Sequence, residues 1–151
     1  MEELTALFCL WASGLGTKSG YTEKLDELFM QNPEDDLLLE LEGLTGDSRG
    51  TLAKLHINEK NADKFGKILC AGAEKYYMEN VSGKPEELEP FTKLSYKLWS
   101  VLLAVLPFEL AHSDPFCIFG YADDPLSWGD REQTIELYQK AFDHYKHTDD
   151  R

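Results

Sequence analysis

The chain has 151 residues, the size of one ordinary domain, and a chain of this length can bury a core without disulfides or metals. Hydrophobic residues make up 42% and charged residues 28%, a globular composition that excludes a disordered chain. The net charge of −13 argues against DNA, RNA and anionic membranes, which are bound largely through Lys and Arg. No apolar run approaches the roughly 18 residues of a membrane-spanning helix. We expect one domain over residues 1–151, with neither a nucleic acid nor a membrane as its partner.

The charge is unevenly distributed along the chain. Residues 1–47 carry 11 acidic and 2 basic side chains, and residues 98–151 carry 10 acidic and 4 basic ones. The middle, residues 48–97, is nearly balanced, with 7 acidic and 9 basic side chains. If the two acidic ends meet in the fold, they form one acidic face. The field of such a face attracts a basic partner and accelerates its approach.

The cysteines and the start of the chain bear on the compartment. Cys9, Cys70 and Cys117 are widely spaced and odd in number, which predicts free thiols and a reducing compartment. The chain starts with Met1 and two acids, whereas a secretory signal needs a basic start and a longer apolar stretch. We therefore expect a cytoplasmic location.

The first third of the sequence predicts three helices. A helix over 2–13 follows from apolar residues at i, i+3, i+4 and i+7, which are Leu4, Leu7, Phe8 and Trp11. Thr22 can cap a second helix, which must end near Asn32 because Pro33 disfavours helical backbone at the residue before it. Asn32 and Pro33 then supply the N-cap and the first position of a third helix, for which Gly43 is the expected end.

Residues 45–58 allow two readings. Ala53, Leu55 and Ile57 alternate with polar residues, which permits a short strand. The spacing of Leu52 and Leu55 equally permits a helical turn. The pattern does not separate these two structures.

Two long helices are predicted in the middle of the chain. Asn58 can cap the first, which extends to about Asn80. The second covers residues 91–106 and is apolar around most of its circumference, which is typical of a buried helix. We expect it to be the central element, with Trp99 and Leu102 nearly fully buried.

Residues 107–130 resemble a long connection, since they contain three prolines and two glycines. Within them, residues 116–121 permit a short buried strand. Asp130 then caps a last helix whose predicted inner face is Ile135, Tyr138, Phe142 and Tyr145. The expected fold is mainly α: a single irregular bundle of about six helices that allows one short strand pair.

The same segment holds the candidate binding residues. Its aromatic rings alternate with acids, a composition that suits an interface because rings supply contact area and acids select a basic partner. The candidates for partner binding are Asp114, Phe116, Tyr121, Asp123, Asp124 and Trp128. The alternative is that the rings only pin a long loop to the core.

Catalytic signals in the sequence are few. His112, Asp114 and Cys117 have the groups that nucleophilic catalysis uses, but they lie within six residues, whereas catalytic partners normally come from distant segments. No phosphate-binding loop or HExxH motif occurs. We expect no enzymatic activity and no cofactor.

Metal-ligand patterns are equally sparse. Acidic side chains near His112 offer oxygen ligands for a divalent cation, and they are Asp114, Asp123 and Asp124. His144 and His147 are three residues apart in the last helix but near the end of the chain. The calcium-loop pattern is absent, so we expect no metal.

In size and acidity, the chain is similar to immunity-type inhibitors of bacterial toxins, a resemblance of composition that rests on no defined motif. The resemblance implies a small cytoplasmic protein that covers the basic active site of a partner such as a nuclease. Two alternatives are a structural or assembly protein without inhibitory role, and a small enzyme that uses His112 and neighbouring acids. An immunity-type protein should be encoded directly beside a larger protein with a toxic C-terminal domain.

Overall fold

The computed structural model describes residues 1–44 and 47–146, and its first helix, α1 (Glu2–Ser13), has the predicted range. One side of α1 is fully buried, including Leu4, Phe8 and Cys9. Gly14 ends the helix in the left-handed conformation, with φ of 88°, which glycine adopts without the steric cost of a Cβ. Two N–H groups beyond the helix, those of residues 15 and 16, donate to the carbonyl of Leu10 and close its last turn.

The second helix, α2 (Lys18–Gln31), begins earlier than predicted. Its cap is Thr17, whose hydroxyl accepts a hydrogen bond of 3.0 Å from the N–H of Gly20. The hydroxyl of Thr22 instead lies inside the helix and bonds the carbonyl of Ser19 at 3.4 Å. The predicted end near Asn32 is confirmed.

The third helix, α3 (Asp36–Leu44), begins later than predicted. The carboxylate of Asp35 accepts hydrogen bonds from the N–H groups of Leu37 and Leu38, at 2.9 and 3.2 Å, and so takes the capping role predicted for Asn32. A carboxylate competes well for free amides at a helix start because its charge also favours the positive end of the dipole. The helix continues through Gly43, so the predicted end there is wrong by one residue.

The ambiguous stretch after α3 contains a short helix, α4 (Ser48–Leu52). The carboxylate of Asp47 caps it by accepting hydrogen bonds from the N–H groups of Arg49 and Gly50. The helical turn allowed at Leu52 and Leu55 is confirmed, since the N–H of Leu55 donates to the carbonyl of Thr51 at 3.1 Å, and the strand allowed at 53–57 is wrong. Residues 45–46 lie outside the described chain.

Two long helices follow, α5 (Ala62–Asn80) and, after a 3-10 turn at Pro85–Glu87, α6 (Leu88–Val105). The predicted end of α5 near residue 80 is confirmed. Its start lies later than predicted, because the side chain of Asn58 accepts from the N–H of residue 61 and caps a preceding turn instead. The extended residues between α4 and α5 are fixed to the end of α6 by the N–H of Ile57, which donates to the Val105 carbonyl at 2.9 Å.

The burial of α6 is one-sided. Leu98 and Leu102 have no exposed surface, as expected for a central helix. Trp99 is only half-buried, and Leu103 is 45% exposed, so the prediction of a helix buried nearly all round is wrong. The physical reason is that other helices cover part of the circumference, while apolar residues on the remaining side face solvent.

The segment 107–130 is helical rather than a long connection. It contains three single-turn helices, α7 (Phe108–Ala111), α8 (Ile118–Tyr121) and α9 (Asp124–Ser127). The strand predicted at 116–121 is wrong: its backbone bonds are local, as in the 2.9 Å bond from residue 122 to the carbonyl of residue 118. A short apolar run does not distinguish a strand from a buried helical turn.

The last helix, α10 (Arg131–Asp143), has the predicted cap, since the carboxylate of Asp130 accepts from the N–H of residue 133 at 3.1 Å. Three of the four predicted inner residues are buried, namely Tyr138, Phe142 and Tyr145. Ile135 is 37% exposed, so its predicted inward position is wrong. Part of its side chain lines a surface cavity.

The core has two clusters. The larger one joins α5, α6, α8 and α10 with one side of α1. The smaller one joins α1, α2 and α3, and its members are Leu4, Phe8, Tyr21, Leu25, Leu38, Leu41 and Leu55. The acidic N-terminal helices α2 and α3 therefore belong to the smaller cluster, whereas the acidic C-terminal elements belong to the larger one.

The mainly α class is confirmed, with more helices than the six expected because single-turn helices occupy the stretches read as connections. No strand occurs in residues 1–44 and 47–146, so the allowed strand pair is wrong for this part of the chain. Nor does any helix of the described chain have the length and apolar character needed to cross a bilayer.

Candidate partner-binding surface

Buried polar side chains hold the segment 107–130 against the long helices. The hydroxyl of Ser95 on α6 donates to the carbonyl of Phe119 at 2.7 Å. The hydroxyl of Thr134 on α10 accepts from the N–H of Leu126 at 3.0 Å. Ser95 and Thr134 are both fully buried, so these bonds form away from competing water. The segment thus presents its outward side chains from defined positions.

One predicted binding residue is part of the core. Phe116 is 2% exposed, and its ring centroid lies 5.9 Å from that of Phe65. Its ring is covered by the protein and offers no surface to a partner, which corrects its place among the surface candidates. Phe116 therefore fits the alternative given above, in which the aromatic rings anchor the segment to the core.

Three other rings of the segment reach solvent. Trp128, at the end of α9, is 67% exposed, and Tyr121, at the end of α8, is 36% exposed. Phe108 was not predicted; its exposed ring stacks on His112 with centroids 4.1 Å apart. Exposed indole and phenol rings are the side chains most often found as interface anchors.

Two acids at the start of α9 have no ion-pair partner in the described part of the chain. Asp123 is half-buried and Asp124 is exposed. Neither carboxylate makes an ion pair or a hydrogen bond within residues 1–44 and 47–146. We give the name α9 face to the side chains of Tyr121, Asp123, Asp124 and Trp128, which lie at the end of α8 and on or next to α9.

Asp114 is an acid of a different kind. One carboxylate oxygen lies 3.1 Å from Nζ of Lys140, and the other accepts a hydrogen bond of 3.2 Å from the thiol of Cys117. Burial acts to raise the pKa of Asp114, but the bonds from Cys117 and Lys140 outweigh it and hold that pKa below its ordinary value. The charge of Asp114 is therefore neutralised within the molecule, unlike that of the α9 face.

A groove borders the α9 face on the side of α6. It has a volume of about 390 Å³ and is lined by Asp123, Leu126 and Ser127 from α9 and by Glu89, Thr92 and Lys93 from α6. The exposed ring of Tyr96 adjoins the same place. Sequence analysis did not include Tyr96 among the binding candidates. It could have been found as an aromatic residue among the polar residues on the outer side of α6.

The three groups considered for catalysis do not form one cluster. Cys117 contacts Asp114, whereas the ring of His112 packs against Phe108 and Trp99. Burial, together with the neighbouring carboxylate, raises the pKa of Cys117 to about 11. At neutral pH this thiol is protonated, and a protonated thiol is a poor nucleophile.

The residues considered for a metal are likewise spread out. Within residues 1–44 and 47–146, no three His, Cys, Asp or Glu side chains are grouped to hold a metal ion. The ring of His144 packs on Tyr145 with centroids 4.7 Å apart. His147 lies outside the described residues.

The α9 face is the place where an exposed indole and unpaired carboxylates occur together in the predicted segment. Aromatic rings supply contact area in an interface, and carboxylates select for a cationic partner. Comparison with protein-family models, curated proteins and solved structures finds no match to the chain.

Proposed function

We propose that this chain is a small acidic binding protein that neutralises a basic protein partner, in the manner of immunity-type inhibitors of bacterial toxins. The α9 face covers the partner's basic active site, for example that of a nuclease, and occludes it. The observation that carries the proposal is the 67% exposed indole of Trp128 at the C-cap of α9, with the unpaired carboxylates of Asp123 and Asp124 at the start of the same single turn.

The acids and the ring have separate roles in this proposal. Unpaired carboxylates steer a cationic surface during its approach, and the net charge of −13 adds to the same field. The indole of Trp128 supplies buried area after contact and slows dissociation. Asp114 contributes little to binding, since Lys140 already neutralises it.

The proposal places the protein in the cytoplasm, where it protects its host from the partner. Cys9, Cys70 and Cys117 are free thiols, which suits a reducing compartment. Binding rather than catalysis is the assigned activity, and it uses neither metal nor cofactor.

A charge-reversal experiment tests the proposal. Wild-type protein is immobilised, binding proteins are captured from the native host, and the partner is identified by mass spectrometry and purified. The variant Asp123→Lys with Asp124→Lys should slow its association by about tenfold or more while the fold stays intact by circular dichroism.

The matched control is Glu34→Lys with Asp36→Lys, an equally large charge change at two exposed acids at the start of α3, which packs in the smaller cluster. It should leave the association rate within about threefold of wild type, since only a distant part of the field changes. If both double variants slow association equally, net charge alone explains the effect and the α9 face has no specific role in binding. A partner that is acidic, or a partner unaffected by either variant, would contradict the proposed function.

A further inference from the structure

A cavity of about 150 Å³ opens between the end of α5, the 3-10 turn at Pro85–Glu87 and the start of α10. Its floor is apolar and is formed by Tyr77, Val81, Leu88 and Ile135. The first three of these are buried, and the exposed part of Ile135 lies at the rim. The cavity thus offers a hydrocarbon surface that no side chain of the described chain fills.

Two cationic side chains border this apolar floor. Arg131 donates one guanidinium N–H to the Pro85 carbonyl at 3.0 Å, and Nζ of Lys84 lies 3.5 Å from the Glu79 carbonyl oxygen. Neither side chain makes an ion pair with a carboxylate within residues 1–44 and 47–146. In a chain of net charge −13, the two cations lack acidic partners beside an open apolar surface.

The bond to Pro85 fixes Arg131 without using up its donors. A guanidinium has five N–H groups in a planar fork, and the remaining ones match the two oxygens of a carboxylate. Because that bond joins residues 46 apart in sequence, it also holds the start of α10 against the 3-10 turn that forms one wall. Lys84 supplies a second positive charge on the same rim.

We propose that this cavity binds a carboxylate carried on an apolar group about the size of a phenyl ring. A cavity of about 150 Å³ accepts a benzene ring, which sets the size of the apolar part. Arg131 and Lys84 bind the carboxylate, while Val81, Leu88 and Ile135 contact the ring. The inference rests on residues outside the α9 face and is independent of the proposed function.

The carboxylate has two natural sources, a free aromatic or aliphatic acid and the C-terminus of a peptide that ends in an apolar residue. Gly83 leaves room for the second source: within the described residues, no atom other than those of its chain neighbours lies within 4 Å of the position that a Cβ on it would take.

Titration with phenylacetate, followed by nuclear magnetic resonance of the backbone amides and methyl groups, tests the proposal. Saturable shifts should be confined to the cavity, above all to Gly83 and to the methyl groups of Val81 and Ile135. Phenylacetamide has the same ring without the charge and should bind about tenfold more weakly or not at all.

Two exposed-residue variants separate the ionic contact from general charge. Arg131→Gln and Lys84→Gln should each weaken phenylacetate binding, Arg131→Gln by about tenfold. The control Lys97→Gln removes the same charge from an exposed position on α6 outside the cavity and should leave binding unchanged. Intact folding of each variant is checked by its amide spectrum.

A tripeptide ending in phenylalanine, with a free C-terminus, distinguishes the two sources. Tighter binding than that of phenylacetate identifies a peptide C-terminus as the ligand, and weaker binding identifies a free acid. The proposal is overturned if phenylacetate gives no saturable shifts, if phenylacetamide binds equally well, or if Arg131→Gln binds like wild type.

Discussion

At the scale of single residues, Leu102 and Leu103 on α6 are neighbours with opposite surroundings. Leu102 is fully buried in the larger cluster, and Leu103 is 45% exposed. Leu102→Ala should lower the free energy of unfolding by roughly 2–5 kcal/mol, through lost transfer energy and an unfilled cavity. Leu103→Ala is the matched control and should cost less than about 1 kcal/mol. Urea denaturation measures both, and equal losses would contradict the one-sided burial of α6.

Asp114 should make stability depend on pH. Its pKa in the folded protein lies below the ordinary value of about 3.8, because the bonds from Cys117 and Lys140 outweigh the effect of burial. The stabilisation by the carboxylate is therefore fully present above the unfolded pKa and is lost as pH falls through the folded one. Asp114→Asn should lower the free energy of unfolding at pH 7 by about 0.2–1 kcal/mol, since the pair is half exposed.

The difference between wild type and Asp114→Asn should disappear below the folded pKa of the carboxyl group. Urea denaturation of both proteins at neutral and at strongly acidic pH measures this difference. A constant difference at all pH values would mean that Asp114 stabilises the fold without its charge.

The exposed indole of Trp128 allows stability and binding to be separated. Trp128→Ala should change the free energy of unfolding by less than about 0.5 kcal/mol, as is usual for surface positions. It should speed dissociation of the basic partner and cost about 2 kcal/mol or more in affinity. Lower stability with unchanged dissociation would instead show that Trp128 only holds α9 in place.

At the scale of elements, one hydrogen bond joins α9 to α10. The buried hydroxyl of Thr134 accepts from the N–H of Leu126. Thr134→Val keeps the shape but leaves that N–H without an acceptor, which should cost about 1–3 kcal/mol. Hydrogen exchange at the Leu126 amide should accelerate accordingly. The control Thr22→Val removes only a 3.4 Å bond from a half-buried hydroxyl to the Ser19 carbonyl within α2 and should have little effect on unfolding.

The caps show how far helix boundaries could be predicted. Asp130 caps α10 as expected because it is a strong capping residue that directly follows Gly129 and directly precedes the helical pattern. At α2 and α3 the sequence offers several capping residues close together, and the caps are Thr17 and Asp35, each of them a residue that local pattern did not single out. Local pattern predicts that a cap occurs, and tertiary packing selects which residue serves.

The segment 107–130 was predicted less well because each of its helices is only one turn long. Prolines and glycines mark turns, but a single-turn helix such as α8 or α9 is too short to show helical periodicity. Its position depends instead on the distant hydroxyls of Ser95 and Thr134. Such long-range bonds leave no local signal in the sequence.

At the scale of the whole molecule, the acidic field should control association with the basic partner. Raising the ionic strength from about 0.1 M to about 1 M shortens the screening length from about 10 Å to about 3 Å. Association of wild type should slow by about tenfold or more, with little change in dissociation. Asp123→Lys with Asp124→Lys should lose most of this salt dependence. An association rate that is independent of salt would contradict steering by the α9 face.

Composition predicted that the candidate surface is acidic, but it did not predict which residues of 107–130 belong to that surface. Acids and rings both occur throughout 107–130, and only burial separates Phe116 in the core from Trp128 on the surface. Asp114 differs from Asp123 and Asp124 because it forms an ion pair with Lys140, whereas the other two acids have no ion-pair partner in the described chain. Both distinctions arise from contacts between elements far apart in sequence.

The division of the core into two clusters has a consequence for how the molecule opens. The smaller cluster holds α2 and α3 to α1 through few large side chains, whereas α5, α6 and α10 share the extensive one. Cooperative units with less buried apolar area open at lower free energy than the whole domain. We therefore expect protease to cut the chain between α2 and α3 when the smaller cluster opens, while the C-terminal two thirds stay folded. The first stable fragment of limited digestion will then keep the α9 face intact.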